Sequence, residues 1–469
     1  MVQVLGPAHW AQQQFGETEL GDKRRTARAV TYAAAAARSP SQSIPQQCNG
    51  EWTQTKGAYR LFDNEQVTFD NLQEPHRRQT LALAASRSVV LWVNDTTTLS
   101  LDHPATAGLG PTSKGGSGLG MLLHSTLAVD VSGGIDQSPF VLGLGHQQAW
   151  VRGRKPNRQK PESGKWAAGV NAIGVPPPGA RWVQVGDSES DCWEAIESCR
   201  AQSSGFALRA CQNRQAIAGH ASAQQRASGD GQGLLFDLLQ RQPALGNKRL
   251  WVRGRKDRQA RWAQLAVSAM AVTLLAPKNW SDKEHRKGQP RPGPIHCWAV
   301  HVLEINAPAG TEPIEWVILT DEPVRDLATA LKVVFWYSCR WLIEEYHKCL
   351  KTGCRIETRQ LQEARRIKAL LGILAVVAIR LLQLKHQAKA NPNAPAQSIV
   401  PERYVKTLAA YLKRPPRKLT TREFWRETAR MGGFLCRKGD GDPGWITLWR
   451  GWQQLELLAE GMELAERRH

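Results

Sequence analysis

The sequence predicts an α/β protein, a mixed β-sheet flanked by helices, with a helical block at each end of the chain. Three observations carry this. The first 69 residues are rich in Ala and punctuated by Pro and Gly, short apolar runs separated by turn residues recur from residue 88 to about 320, and after Pro323 the apolar spacing becomes helical.

The stretch LGDKRRTARAVTYAAAAARS reads as a helix with Lys23, Arg24, Arg25 and Arg28 clustered at one end. Pro40, Pro45 and Gly50 break it before a second helical segment, EWTQTKGAYRLFDN. Residues 1–69 therefore form a small helical domain with a cationic face, although a solvated helix surface accounts for the same charges. Strands are expected at SVVLWVND, MLLHSTLAVD and PFVLGLGH, the last two joined as a hairpin through Gly133 and Gly134, and at RWVQVGD after a loop rich in Arg, Lys and Pro. KRLWVRGRKD, ARWAQLAVSAMAVTLLA, HCWAVHVLEINAP and EWVILTDEP then form a β-rich insertion at about 210–320. Its basic turns, 253–258 and 278–291, make a cationic rim. A helical stretch runs through RRIKALLGILAVVAIRLLQLK to the polar linker AKANPNAPAQS, closing a central domain of residues 70–388. Residues 389–469, with Trp425, Trp445, Trp449, Trp452 and basic LKRPPRK, form a separate helical domain.

Lys and Arg number 62 against 42 Asp and Glu, a formal charge of +20, and such an excess attracts polyanions. Membrane attachment is not expected: the N-terminus lacks a charged start and apolar run, and the most hydrophobic stretch, 369–384, is interrupted by Arg380 and too short to span a bilayer comfortably. It reads as a buried core helix. Nine cysteines without a Cys-x-x-Cys pair suit reduced thiols in the cytoplasm rather than a disulfide framework or a zinc site. Most of the eighteen tryptophans must be structural, but a few could stack on bases.

Chemistry concentrates in YSCRWLIEEYHKCLK, residues 337–351. At 100° per residue, Arg340, Glu344 and Lys351 follow Tyr337 by three, seven and fourteen positions and fall within roughly 60° of it on one helical face. One acid thus sits among phosphate-seeking groups, an arrangement that interleaved surface charge also explains. Asp95 ends VVLWVND and Asp187 ends RWVQVGD, so each carboxylate would leave the carboxyl edge of a buried strand. Two such acids and one on a neighbouring helix can hold paired divalent cations, whose shells phosphate oxygens complete. Taken singly, a strand-ending Asp also serves as a turn or helix cap.

The order Asp, Asp, then Glu within Tyr-x2-Arg-x3-Glu-x6-Lys resembles the bacterial insertion-sequence DDE transposases with the YREK signature, the group of the transposon-five transposase. LGDKRRTAR, KGAYR, NDTTTLS, ESGKW, GDSESD, RWLIEEYHK, KTG, RLLQL and GGF occur in the family's order, so the likeness covers nearly the whole chain.

The resemblance implies an RNase H-like catalytic core with the β-rich insertion between the second Asp and the Glu, and metal-dependent cut-and-paste transposition. Asp95, Asp187 and Glu344 would bind two Mg²⁺ ions, for which Mn²⁺ substitutes, with no organic cofactor. Tyr337, Arg340 and Lys351 would contact phosphates, Trp316 and Trp341 would stand beside a flipped base, and Arg209 would approach the DNA hairpin end. Lys23, Arg24, Arg25, Arg28, Tyr59 and Arg60 resemble family positions at the DNA surface, where transposon ends are read. The partners implied are double-stranded DNA, as transposon ends and target, and a second copy of the chain bound through the C-terminal domain. One departure is Ser188, where the family often has Arg; it removes a possible phosphate contact, and Asp191 is the rival second acid. A catalytically silent DNA-binding regulator and a nuclease without strand transfer remain alternatives.

Overall fold

The computed structural model describes residues 5–101, 106–113, 116, 118–153, 161–252, 260–283, 286–387, 392–437 and 440–466. Five helices come first: α1 (Pro7–Phe15), α2 (Lys23–Arg38), α3 (Ile44–Gln47), α4 (Trp52–Asp63) and α5 (Phe69–Ala85). Asp22 caps α2 by accepting the Arg24 N–H at 2.8 Å. Ala33, Ala34, Ala35, Ala36 and Ala37 are all buried, because small side chains of high helix propensity let neighbouring helices approach.

The central sheet begins with β1 (Val89–Ser100), β2 (Gly110–Pro111), β3 (Leu119–Asp130) and β4 (Phe140–Trp150), followed by α6 (Gly164–Ile173), β5 (Arg181–Gly186), α7 (Trp193–Ala201) and β6 (Gly205–Arg209). Strand β3 pairs antiparallel with β4 and β1, whereas β1, β5 and β6 run parallel. The order β4-β3-β1-β5-β6 is that of an RNase H-like core. Where they run parallel, these strands are almost wholly buried, as sheets covered on both faces must be; β1 becomes partly exposed from Asp95 onwards.

The insertion contributes β7 (Gln215–Ala218), α8 (Ala223–Ser228), β8 (Gln232–Leu234), α9 (Leu235–Gln240), β9 (Gly246–Val252), β10 (Arg261–Leu274), β11 (Ile295–Ile305) and β12 (Glu315–Thr320). These strands extend the core sheet: β12 pairs antiparallel with both β6 and β11, giving one twelve-stranded sheet among the described residues. Of the two basic turns expected here, 253–258 lies outside the described residues, as do 284 and 285 within the second.

Helices α10 (Leu327–Ser338), α11 (Trp341–Lys348), α12 (Ala364–Gln387), α13 (Glu402–Tyr411), α14 (Thr421–Met431) and α15 (Trp445–Glu466) complete the chain. Over Ala364–His386, α12 is long and apolar enough to cross a membrane, but 89% of its most hydrophobic window is buried inside the protein. It is the central core helix that its sequence suggested. The buried Arg380 on α12 donates to the Leu5 carbonyl at 2.8 Å and lies 5.2 Å from the Trp10 ring, which ties the N-terminal block to the centre.

Candidate active site

Asp95 does not end its strand, as the sequence suggested; β1 continues to Ser100 because β3 goes on pairing with it as far as Gly120. What ends at Asp95 is the parallel neighbour. The last register pair between β1 and β5 is Asn94 with Gly186, so Asp95 and Asp187 are the next residues on adjacent strands. Neighbouring strands lie about 4.8 Å apart, which sets the two acids side by side. The chain turns sharply after Gly186, where a Cβ would lie 2.5 Å from Ser190 Oγ. Asp187 then caps the 3-10 turn Ser188–Ser190 by accepting the Glu189 N–H at 3.0 Å.

The electrostatics are those of acids short of cations. Burial, then the Asp187 charge, pushes Asp95 up to about 7 despite a Thr96 N–H donated to it at 2.8 Å. Asp187 is raised by burial against the pull of Arg340 and Lys165. His347 Nδ1 lies 3.7 Å from Asp95 Oδ2, but burial holds this histidine down to about 3, so it is neutral and forms no ion pair at neutral pH.

The stretch 337–351 is not one continuous helix. Tyr337 belongs to the last turn of α10, Glu344 to the first turn of α11, and Lys351 to a π-helical turn, Cys349–Gly353. A wider turn shifts the angular position of Lys351 away from the ideal 100° steps. Arg340 precedes α11 and forms an i,i+4 ion pair with Glu344. The Lys351 ammonium donates to the Thr98 carbonyl on β1 and lies 3.3 Å from Glu357. Thus α11 packs against β1 and brings the Arg340–Glu344 pair towards Asp95, whose proton affinity both side chains influence.

Trp316 on β12 meets Tyr337 edge to face at 5.5 Å, and Arg209, which closes β6, donates to the neighbouring Glu315 carbonyl at 3.2 Å. These three therefore share one margin of the site. Trp341 does not join them. Its ring, 40% exposed, stacks on His386 at 6.3 Å with the Lys385 ammonium 5.4 Å away.

Asp191, the rival second acid, is already satisfied: it pairs with Arg214 and accepts the N–H groups of Cys211 and Gln212 at 2.9 and 3.1 Å. Sequence reasoning missed Lys165, whose side chain is 9% exposed and whose ammonium lies 3.2 Å from Glu189, beside Asp187. Its position in ESGKW, opening α6 next to the parallel strand ends, was the available signal. It puts a cation where Ser188 leaves none. Among the described residues no three His, Cys, Asp or Glu side chains are gathered as a ready metal cage. The donor chemistry nevertheless suits a divalent cation, since Asp95 and Asp187 are partly buried oxygen ligands whose carboxyls burial raises, Asp95 further by the Asp187 charge, and Glu344 is paired with Arg340.

A second candidate surface lies between α2 and α4, a groove lined by Arg24, Arg25, Arg28, Lys56, Arg60 and, 71% exposed, Trp52. Arg25 is tied to the Leu20 carbonyl and Gln66, whereas Lys23 and Tyr59 are exposed outside this groove. Trp52 and Lys56 were missed, although positions 52, 56 and 60 repeat at helical spacing. On α15, Leu457, Leu458, Met462 and Leu464 form an exposed apolar surface.

Family sequence models match three segments. The transposase DNA-binding model covers residues 7–67, the helices that form the basic groove. The transposase DDE domain covers 236–380, which holds Glu344 but neither Asp95 nor Asp187. The transposase Tn5 dimerisation domain covers 376–468 and with it the apolar face of α15. A DNA-binding module, a DDE domain and a dimerisation module in this order, on a mixed sheet with helical blocks at both ends, place the chain in the Tn5-type family of DNA transposases.

Proposed function

We propose that this transposase cuts and pastes its element through Asp95, Asp187 and Glu344. The observation that carries the reading is the register of β1 and β5, which sets two partly buried carboxyls on adjacent strands with the Glu344 helix packed beside them. DDE transposases use divalent metal ions. Asp95 and Asp187 would hold two Mg²⁺, with Glu344 joining after it leaves Arg340. When bound, the ions supply activation of the attacking oxygen and charge stabilisation at the phosphate.

The remaining tasks fall to the chain. Arg340, once released, and Lys351 face the phosphate oxygens, and the Tyr337 ring sets their position against Trp316. Water opens one strand at the element's end and leaves a 3′-hydroxyl; this attacks the opposite strand and closes a DNA hairpin. Hairpin closure bends the backbone sharply, and Trp316 offers a flat refuge for an extruded base. Arg209 lies beside it for the hairpin phosphate. Trp341, stacked on His386, serves the outer wall. A second water reopens the hairpin, and the freed 3′-hydroxyl attacks target DNA. Each end would be read by the N-terminal domain of one subunit of a homodimer and cut by the other.

Purified protein with Mg²⁺ and its own element's ends is expected to release hairpin-ended DNA. Replacing Asp95, Asp187 or Glu344 by Ala should abolish cutting while end binding persists, and cleavage retained in one variant sinks that assignment. Trp316→Ala should nick normally but close few hairpins. Open ends only, without joining to target, would instead identify a nuclease.

A further inference from the structure

The row of the sheet that holds Asp95 continues, on the side away from Asp187, through two polar residues with no part in the cutting chemistry. Asp95 on β1 stands opposite Ser125 on β3, and Ser125 stands opposite Gln147 on β4. Residues directly opposite one another share a face, so the three side chains line up on one side of the sheet over about 10 Å. Ser125 is fully buried and Gln147 nearly so.

The Gln147 amide is engaged at both ends. Its Nε2 donates to Ser125 Oγ at 2.7 Å and to the Tyr346 hydroxyl at 2.9 Å, which uses both of its hydrogens, and its Oε1 accepts from Gln73 Nε2 on α5 at 2.7 Å. Tyr346 lies on α11 two residues after Glu344 and is fully buried. A buried amide with these bonds made is a rigid junction; with one removed it leaves a polar group short of a partner. The Glu344 side chain is half-exposed, and its ion pair with Arg340, four residues earlier on the same segment, does not tie the helix to the sheet. Glu345 ties α11 to Lys385 of α12. Leu342 and Ile343 hold the helix down by apolar burial, which is non-directional and leaves a short helix free to slide or roll. The directed bond from Gln147 to Tyr346 removes that freedom.

We propose that Gln147 is a positioning residue for strand cleavage: by fixing Tyr346 it sets where α11 stands on the sheet, and so whether Glu344 can share a metal ion with Asp95. This rests on the reading that Asp95, Asp187 and Glu344 hold the metal. Mg²⁺ demands near-ideal octahedral geometry, with oxygen ligands at about 2.1 Å, so a carboxylate displaced by about 1 Å is a poor ligand. Gln147 acts only through α11.

The test follows full-length protein and its own end duplex in three ways: end binding without divalent ions, thermal stabilisation as Mg²⁺ is added, and single-turnover nicking. Tyr346→Phe is the decisive variant, because it keeps the buried ring and removes one oxygen. It should bind ends like wild type and melt within about 3 °C of it. It should nick about tenfold more slowly and need about threefold more Mg²⁺ for half-maximal stabilisation. Adding Tyr346→Phe to Gln147→Met should slow nicking no further than Gln147→Met does alone, since both remove the same bond. In a Glu344→Ala background, Tyr346→Phe should leave the Mg²⁺ response where Glu344→Ala puts it. Wild-type nicking and Mg²⁺ response in Tyr346→Phe overturns the proposal. So does a parallel loss of end binding and melting midpoint, which would make the bond ordinary core, or an equal shift in Mg²⁺ response without Glu344, which would show that it acts elsewhere. Failure of the metal reading is distinguishable: Asp95→Ala or Asp187→Ala would then still cut and respond to Mg²⁺ like wild type, whatever Tyr346→Phe does.

Discussion

Two acidic regions lie only a few residues apart at the end of β5, and they are built in opposite ways. Asp191 is enclosed by Arg214 and two backbone N–H groups, so its charge is fully answered by the protein. Asp95 and Asp187 are only partly buried, stand side by side on adjacent strands and receive one backbone N–H each. An acid paired within the protein holds structure together; a pair left to repel each other costs stability until something positive arrives. The two regions differ in exposure as well, but it is the partners that separate their roles.

The sharpest way to break the comparison is to neutralise each acid. Asp95→Asn and Asp187→Asn should lower strand cleavage by at least about a thousandfold, as expected for loss of groups that act at the transition state, and leave the fold intact. Asp191→Asn strands the buried Arg214 guanidinium and should destabilise the protein by about 3 to 5 kcal/mol. Cleavage assays and thermal melts on the same three proteins decide it. An Asp191 variant that melts normally but does not cut would make Asp191 the second catalytic acid.

The next effect is one of pH without metal. Asp95 is raised from 3.8 to about 7 in the folded protein, so its native form keeps a proton that the unfolded chain has already released. Its contribution to stability is fully present below pH 3.8 and is lost as pH rises to 7, up to about 4 kcal/mol over that window. His76 and His347, held by burial to about 4 and about 3, act in the opposite sense, their contribution being lost as pH falls below 6.5. Wild type and Asp95→Asn share those histidines. The variant's melting midpoint should therefore gain on wild type from pH 4 to 8 in EDTA, and Mg²⁺ should stabilise wild type and narrow the gap. Parallel midpoint curves would show that Asp95 carries no such burden.

Much of this was legible in the sequence. The strands at SVVLWVND and RWVQVGD, the β3–β4 hairpin and the buried α12 follow from apolar runs bounded by turn residues, and the transposase family was identifiable from ordered motifs. Three features were not. Strand β6 is only five residues, GFALR, too short for periodicity to separate from loop, yet it joins the core to the insertion. That the insertion continues the same sheet depends on β12 pairing with β6 across more than a hundred residues of chain, which no local pattern encodes. The break between α10 and α11 was hidden because Tyr337, Arg340 and Glu344 fit ideal helical steps. A single exposed residue such as Trp341 likewise gives no sign of whether it meets a base or a histidine on the next helix.

The smallest predicted effect sharpens the comparison at its third member. Glu344 is neither answered like Asp191 nor left to repel like Asp95: it is half-exposed and paired with Arg340 at i,i+4. Exposed pairs of this kind contribute about 0.3 to 0.5 kcal/mol, so exchanging Arg340 for a metal ion costs the protein little. Arg340→Gln should therefore shift the melting midpoint by no more than about 2 °C, while the Mg²⁺ concentration needed for half-maximal thermal stabilisation falls, because the carboxylate no longer has a competing cation. Cleavage should fall in the same variant if Arg340 turns to phosphate once Glu344 is taken. A midpoint that drops steeply, with metal response unchanged, would place Arg340 among the structural cations beside Arg214.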